Sequence, residues 1–544
     1  MRASFRKGVP LRDVAEPRKG MVTADNPRFI RFWREVELCK IGFDHMNRNS
    51  AKSSCAKWFP YMKGGTFRRW SGNKDNVVNW ENDGAELLNM KGNGYKVGST
   101  NHNVEFIFKP AITWTKITSS DSGFRLNGAG FLFDDASGLC ALRGGANPYA
   151  TLGLLNSPVT KYGLRALNPT MNLNPGNLAD LPFLNESGAT EVARQLEQGS
   201  KADWDAYETS WDFTTLPMLQ PDHRANSLES TYTTLRTHWQ SMTEETQRLE
   251  EENNRIFINA YGLQDELIPE VPLNEITLTC NPAYRYGGKA SAEELELRLR
   301  ADTMAEFLSY AVGCMFGRYS LDAPGLILAN QGETLAEYLA RVPNPTFIPD
   351  KDNVIPVLDA DWFADDITDR FRQFLRVTFG EDSFRENLRF IEEALGKDIR
   401  RYFTRDFYAD HVKRYKKRPI YWMFSSPKGT FNALIYMHRY RGDTVSVLLN
   451  EYLREFVTKL EGEQVRLNKL ADDPTATQGQ RTKALKDAGI IAKQLDELNE
   501  WEREVIFPLA QAKIEIDLDD GVKANYPKFG TALKKIVGLE VSDE

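Results

Sequence analysis

The stretch Leu278–Gly288 reads LTCNPAYRYGG and contains two side chains that are suited to binding a planar base. The amide of Asn281 offers both a donor and acceptors, which match the amine-bearing edge of adenine. The ring of Tyr284 could stack on a base that has been turned out of a duplex. The question for the rest of the sequence is whether Asn281-Pro282-Ala283-Tyr284 belongs to a catalytic site.

Amino-methyltransferases that modify adenine carry a similar tetrapeptide, Asn-Pro-Pro-Tyr, at the end of a strand, and Ile276–Thr279 would have to supply that strand here. Such enzymes also need a Gly-rich turn, where backbone approaches S-adenosylmethionine. The nearest candidate, KGNGYKVG at 91–98, follows no predicted strand and opens no helix. We therefore interpret Asn281-Pro282 as a turn, which both residue types favour.

Other catalytic or metal-binding patterns are absent from the sequence. Six histidines show neither metal-ligand spacing nor H-E-x-x-H, and five cysteines form no C-x-x-C, which argues against a zinc site or a disulfide framework. Asp517, Asp519 and Asp520 could hold Mg²⁺, but a solvated Asp-Gly turn is the more common arrangement. We expect no catalytic residue, no metal and no cofactor in this chain.

Charge is distributed unevenly along the chain. Its net charge is −7, yet residues 1–130 contain 22 Lys and Arg against 12 Asp and Glu. A basic N-terminal quarter followed by an acidic remainder is expected when one domain binds phosphate and the rest contacts protein or water. The pattern favours nucleic acid as a partner, although a basic surface arising by chance would give the same numbers.

Basic and aromatic residues alternate most densely in KWFPYMKGGTFRRWSGNKDNVVNWENDG at 57–84. Lysine and arginine can neutralise phosphates or pair with guanine, and asparagine can read adenine. We expect Trp58 and Trp80 to be packing residues and KGGTFRRW to be exposed. A second patch at 112–125, ITWTKITSSDSGFR, combines cations with hydroxyls, but an ordinary strand and turn would look similar. The predicted DNA contacts are Lys63, Arg68, Arg69, Asn73, Lys116, Ser119 and Arg125.

The elements that must position these residues change in character along the 544 residues. Short β-branched and aromatic runs broken by Gly, Asn and Pro extend to about residue 185, and helical patterns follow. We predict an α+β protein with a mixed N-terminal domain at 1–185, a helical spacer at 186–290 and a mainly helical domain at 291–544. No apolar run reaches the ~18 residues of a membrane span, and no signal peptide is recognisable, so a cytoplasmic protein is expected.

Three helical regions are predicted with particular clarity. Leu235, Met242, Leu249 and Ile256 recur every seven residues, which fits either a coiled-coil seam or a helix packed on its own domain. Residues 292–317 read as a helix that becomes buried towards its end. A helical pair is predicted at 444–470 and 482–511, joined by the polar segment 471–480.

Seven stretches, in order along nearly the whole chain, resemble the C-terminal half of the PglX family. They are DNPRFIRFWREV, KWFPYMKGGTFRRWSGN, VVNWENDG, PAITWTKITSS, NPTMNLNPGNLADLP, RPIYWMFSSPKGTFNALIYMHRY and IDLDDGVKANY. PglX proteins are adenine-specific DNA methyltransferases of BREX phage-defence systems, akin to type IIG enzymes. The resemblance implies a target-recognition domain, a helical spacer and a C-terminal domain.

The same resemblance places the catalytic domain, with its S-adenosylmethionine turn and Asn-Pro-Pro-Tyr motif, upstream of this chain. The expected function is therefore duplex DNA recognition as the non-catalytic half of the methyltransferase. Two alternatives stay open: a protein-interaction scaffold that binds other BREX proteins, and a methyltransferase that acts with a separately encoded catalytic half.

Overall fold

The computed structural model describes residues 8–90, 98–101, 103–117, 122–167, 172–287 and 289–539. The chain divides into two compact units, the first comprising Met1–Arg224 with Thr231–Leu299 and the second Ala225–Ser230 with Arg300–Glu544. Helices exceed strands and several small sheets accompany them, which confirms the α+β prediction. The three-part division at residues 185 and 290 stays a prediction.

The described residues of the first unit form three sheets. The pair β1–β10 is antiparallel, β2, β9, β6 and β7 form an antiparallel sheet in that order, and β3, β5, β4 and β8 form a sheet in which β4 and β8 are parallel. The strands are β1 Val9–Pro10, β2 Ala15–Arg18, β3 Ile30–Phe32, β4 Trp58–Met62, β5 Asn76–Asn79, β6 Ala111–Thr115, β7 Phe124–Asn127, β8 Leu132–Phe133, β9 Ser137–Leu142 and β10 Pro182–Phe183.

A small residue explains how β6 and β9 fit together. Trp114 of β6 lies opposite Gly138 of β9, and a Cβ at Gly138 would meet the Trp114 ring at 2.0 Å. The indole N–H of Trp114 donates to the carbonyl of Leu173 at 2.9 Å. The fully buried ring therefore joins the sheet to the segment before α6, beside the loop that follows β6.

The helices of the first unit cover these sheets, and several begin at an Asn or Asp that caps the first turn, as at Asn147 before α4. They are α1 Asn26–Phe29, α2 Arg48–Lys52, α3 Glu81–Leu88, α4 Pro148–Asn156, α5 Pro158–Leu167, α6 Pro175–Ala179, α7 Ser187–Asp205, α8 Leu228–Tyr261 and α9 Pro282–Tyr286. Of α8, the part from Thr231 onward belongs to this unit.

The long helix α8 packs on its own unit. Leu249, Phe257 and Tyr261 lie in one buried cluster with Trp114 of β6 and Leu196 of α7, and Ile256 packs against that cluster. This is the second of the two alternatives that the seven-residue spacing allowed.

The second unit is mainly helical, and its described residues form one small antiparallel sheet in the order β11, β13, β12. Its strands are β11 Ile355–Pro356, β12 Tyr421–Ser425 and β13 Asn432–Tyr436. Its helices, including α10, which begins before Arg300, are α10 Ala292–Met315, α11 Leu335–Arg341, α12 Ile367–Phe379, α13 Phe384–Leu395, α14 Ile399–Arg405, α15 Phe407–Arg414, α16 Thr444–Val447, α17 Arg454–Asp472, α18 Gln478–Trp501, α19 Phe507–Ala512 and α20 Val522–Asn525.

The predicted helical pair is confirmed. Its first arm runs through α16, a π-helical segment Leu448–Leu453 and α17, and its second through α18, a π-helical segment Glu502–Ile506 and α19. The second arm begins at Thr477, whose side chain and that of Gln480 form a capping box.

In the part of the chain that the structure describes, no helix has the length and apolar character that crossing a membrane requires. The same residues contain no group of three or more His, Cys, Asp or Glu side chains arranged to hold a metal ion. Asp517 instead accepts a hydrogen bond from the backbone N–H of Asp519 at 2.9 Å and so closes a local turn.

Candidate nucleic-acid interface

The tetrapeptide at 281–284 begins the short helix α9. Asn281 is 2% exposed, and its Oδ1 accepts a hydrogen bond from the N–H of Ala283 at 3.1 Å. Its Nδ2 donates to the carbonyls of Leu273 and Ile276 at 2.7 and 2.9 Å. The predicted strand Ile276–Thr279 is wrong, since this run follows a 3-10 turn and pairs with no strand. The amide of Asn281 is thus committed to capping and to holding the preceding turn.

We expect Asn281→Ala to lower the free energy of unfolding of the first unit by about 1–3 kcal/mol. The reason is that the variant loses a helix cap and leaves two carbonyls without their donor. Urea unfolding monitored by hydrogen exchange of peptides from 264–287 would measure this change. Unchanged stability would contradict the capping role of Asn281. Asn274→Ala, at an exposed asparagine seven residues before Asn281, serves as the control.

Arg68 lies inside the first unit. Its side chain is 4% exposed and forms an ion pair with Asp203 of α7, whose side chain is 1% exposed. Arg68 Nη2 also donates to Thr279 Oγ1 at 2.9 Å, and the guanidinium lies 4.9 Å from the centre of the Trp204 ring. Arg68 therefore ties the loop after β4 to α7 and to the segment before α9.

Arg69 forms a second group of ion pairs. Its Nη1 donates to Glu250 of α8 at 2.6 Å and its Nη2 to Glu275 at 2.8 Å. The second oxygen of Glu250 accepts from the indole N–H of Trp70 at 2.6 Å. Glu250 is 2% exposed, so this carboxylate joins two consecutive residues of the loop to the long helix.

The expectation that KGGTFRRW is exposed is wrong for its second half. Gly65 and Thr66 are exposed, but Arg68 and Trp70 are buried and the side chain of Arg69 is 11% exposed. The carboxylates of α7, α8 and the segment after α8 neutralise the two arginines and allow their burial. Trp58 and Trp80 are 1% exposed, which confirms that they are packing residues.

Asn73 and Arg125 are also buried. The amide of Asn73, a residue with a positive φ of 57°, donates to the carbonyl of Thr66 at 2.9 Å. Arg125 is fully buried and its Nη1 donates to the carbonyl of Arg68 at 3.2 Å. Burial, together with the nearby Arg68 charge, lowers the pKa of Arg125 to about 10. Both side chains therefore hold the loop after β4 in place.

Lys63 and Lys116 lie at one end of the sheets, in a group of loops that we name the basic loop cluster. It comprises Lys19, residues 63–66, residues 115–117 and residues 134–136. Hydrogen bonds join these segments. Thr115 Oγ1 donates to the carbonyl of Gly65 at 3.1 Å, and the backbone N–H of Lys116 donates to the carbonyl of Ala136 at 3.0 Å.

The basic loop cluster has more cations than carboxylates. Lys19 and Lys116 share Asp135, at 3.2 and 3.0 Å. Among the described residues no carboxylate pairs with Lys63, which is half-buried. Burial raises the pKa of Asp134, while the N–H of Ala136, the hydroxyl of Tyr61 and the charge of Lys63 oppose that rise. A phosphate at Lys63 would meet a cation without a competing ion pair.

The backbone of the loop after β4 depends on glycine. Gly64 and Gly65 have φ values of 81° and 140°, which L side chains rarely adopt. A Cβ at Gly65 would also approach the Asn73 amide to 2.8 Å. Gly64 is buried, whereas Gly65 and Thr66 are exposed, so a phosphate could closely approach the backbone at these two residues.

Two predicted features fall outside the described residues. Ser119, with its neighbours Thr118 and Ser120, follows the described segment 115–117, and most of the Gly-rich run KGNGYKVG falls on residues 91–97. Sequence reasoning also missed Lys19, which the fold brings beside Lys116, and Ile117, which is 64% exposed. The basic N-terminal charge balance was the available signal for Lys19.

Two curated proteins are similar to this chain over nearly its whole length. "Adenine-specific methyltransferase PglX" of Lacticaseibacillus casei (strain Zhang) is 36% identical over 97% of the chain. "Adenine-specific methyltransferase BrxX" of Escherichia coli O9:H4 (strain HS) is 34% identical over 94% of it. The matched regions cover 43% and 42% of those two proteins, so the chain spans about two fifths of their length. No family model matches the chain.

At 34–36% identity over almost every residue of the chain, these two proteins are its homologues. The similarity supports the PglX-like relationship that the sequence motifs implied. At that coverage it extends over both units of the structure.

Proposed function

We propose that this chain is the DNA-recognising, non-catalytic half of a PglX-like adenine-specific methyltransferase in BREX phage defence. The observation that supports this most is its similarity, over nearly all of the chain, to about two fifths of two proteins named as adenine-specific methyltransferases. A chain of that extent corresponds to one part of such an enzyme rather than to the whole.

The chemistry of the tetrapeptide supports the non-catalytic assignment. Asn281, the residue whose amide would hold the adenine amine, uses both ends of that amide in hydrogen bonds within the chain. Methyl transfer is then the task of a separate catalytic half, which would bind S-adenosylmethionine and the flipped adenine. This chain would hold the duplex in the position that the catalytic half requires.

The predicted DNA contacts divide into two groups in this proposal. Lys63 and Lys116 contact backbone phosphates from the basic loop cluster, and Ser119 stays a phosphate contact predicted from the sequence. Arg68, Arg69, Asn73 and Arg125 are positioning residues, because their polar groups already pair with α7, α8 and the loop after β4. Affinity for DNA would depend on the first group directly and on the second through the fold.

We expect the double variant Lys63→Glu/Lys116→Glu to bind duplex DNA about tenfold more weakly or worse at low salt. Each lost phosphate contact should reduce the slope of log affinity against log salt by about 0.9. Fluorescence anisotropy with a labelled duplex at several salt concentrations measures both quantities. Lys483→Glu, an exposed lysine of α18 in the second unit, is the matched control. Equal affinities for all three proteins would contradict the role of the basic loop cluster.

Calorimetric titration of S-adenosylmethionine into the chain tests whether cofactor binding belongs to the separate catalytic half. The proposal predicts no binding without the catalytic half. Binding with micromolar affinity would instead favour an enzyme that carries its own cofactor site, and the non-catalytic assignment would then be wrong.

A further inference from the structure

The second unit contains a cavity of about 820 Å³. It lies between the β12–β13 hairpin, the end of α14 and the segment after α20. Its volume falls within the range of about 300–1,000 Å³ that small-molecule sites occupy. The cavity is open enough for a ligand to enter from solvent.

Cations outnumber carboxylates around this cavity. Asp359 is the one carboxylate among the residues that line it, against four cations: Arg405, Lys428, Lys534 and Lys535. Among the described residues, neither Arg405 nor Lys534 has an ion-pair partner. Burial, with the nearby charge of Arg405, lowers the pKa of Lys534. Both cations line the cavity, and the charge of Arg405 acts on Lys534, so an anion bound beside them would relieve their repulsion.

The structure holds these cations in place through backbone contacts. The N–H of Lys534 donates to the carbonyl of Met423 in β12 at 2.9 Å, and the adjacent Leu533 bridges to Phe424. Glu497 of α18 accepts from the N–H of Lys428 at 2.7 Å and from the Thr430 hydroxyl at 2.6 Å, which fixes the hairpin turn. The cationic wall is therefore part of the packed unit.

Part of the cavity lining is apolar. Leu358, Leu533, Ile536 and Leu539 form this part and each is less than 7% exposed. A cavity lined by both apolar side chains and cations matches a ligand with an apolar or aromatic body and an anionic end. The planar guanidinium of Arg405 and the ammonium of Lys534 are groups that can donate hydrogen bonds to the oxygens of a phosphate.

We propose that this cavity binds a phosphate ester of nucleotide size. Its phosphate contacts Arg405 and Lys534, and its apolar or aromatic body lies against Leu358, Leu533 and Ile536. The hairpin turn at 426–429 is not a P-loop, because its Lys428 N–H is occupied by Glu497. Recognition of the phosphate is thus assigned to side chains. The site lies in the second unit and does not depend on DNA recognition by the first.

Isothermal titration of the full chain with AMP and with inorganic pyrophosphate tests this site. AMP should bind, and both Arg405→Ala and Lys534→Met should weaken it about tenfold or more, as expected when a charge-assisted hydrogen bond is lost. Arg401→Ala, one turn earlier on α14 and outside the cavity lining, should leave AMP affinity unchanged. Hydrogen exchange of the second unit verifies that each variant is folded.

Three outcomes would overturn the proposal. The first is no binding of AMP or pyrophosphate at about 1 mM, which would leave an affinity too weak for a specific site. The second is equal affinity for AMP and pyrophosphate, since the apolar part of the lining would then contribute nothing. The third is that Arg405→Ala and Lys534→Met weaken duplex DNA binding while AMP does not bind, which would make the cavity a DNA contact.

Discussion

Replacing Asp203 by Ala is expected to lower the free energy of unfolding of the first unit by about 3–5 kcal/mol, the range typical of removing one partner of a buried ion pair. Asp203 accepts from Arg68 and from the backbone N–H groups of Thr279 and Cys280, at 2.7 and 3.0 Å. Its loss leaves a guanidinium that is 4% exposed without a carboxylate. Hydrogen-exchange mass spectrometry of peptides from 187–287 in increasing urea measures the change.

Two comparisons separate this effect from a general loss of charge. Glu245→Ala removes an exposed partner of Arg248 on α8, where both side chains are more than half exposed, and should change stability by no more than about 0.5 kcal/mol. The double variant Arg68→Met/Asp203→Leu replaces both buried charges with apolar groups and should be more stable than Asp203→Ala. If Asp203→Ala behaves like Glu245→Ala, the buried pair is not what joins the loop to α7.

Charge reversal at Arg69 is expected to have at least as large an effect. Arg69→Glu would place a third carboxylate beside Glu250 and Glu275 while removing the cation that neutralises both. Loss of the buried pair costs about 3–5 kcal/mol, and repulsion between like charges adds to it. We therefore expect the first unit of this variant to be largely unfolded at 25 °C by hydrogen exchange, and DNA binding to be lost with it.

Lys63→Glu is the matched control, because it reverses a charge on the same loop without breaking an ion pair. Because Lys63 lies near Asp134, the variant should lower the stability of the first unit slightly, far less than Arg69→Glu does, and it should weaken DNA binding. A well-folded Arg69→Glu protein with weakened DNA binding would show instead that Arg69 contacts phosphate directly, as its sequence context suggests.

Local sequence patterns were sufficient to predict many of the helices and the burial of several aromatic residues. Helical periodicity predicted α8 and α10, and the bulky aromatic residues Trp58 and Trp80 were assigned to the core. These features depend on neighbours within a few turns of chain or on the large apolar area of one side chain. They can be predicted because the information is local.

The burial of Arg68 and Arg69 could not be predicted in the same way. Their partners Asp203 and Glu250 are 135 and 181 residues away in sequence. A basic run has the same composition whether it faces solvent or a set of carboxylates from later helices. Only the tertiary arrangement distinguishes a phosphate-binding cation from one that is neutralised within the fold.

The strand predicted at Ile276–Thr279 failed for a related reason. β-branched residues favour a strand only where a partner strand is available. Here the carbonyl of Ile276 is taken by the Asn281 amide, and the backbone N–H of Thr279 by Asp203. Side-chain acceptors and donors have replaced the ladder that a strand needs.

The central claim, that this chain recognises duplex DNA without its catalytic half, is tested most directly by titrating a labelled duplex with the chain at several salt concentrations. We predict saturable binding whose log affinity falls linearly with log salt, with a slope of magnitude about 2 or more from the contacts of Lys63 and Lys116. Absence of binding at the lowest salt concentration, or an affinity independent of salt, would contradict the claim.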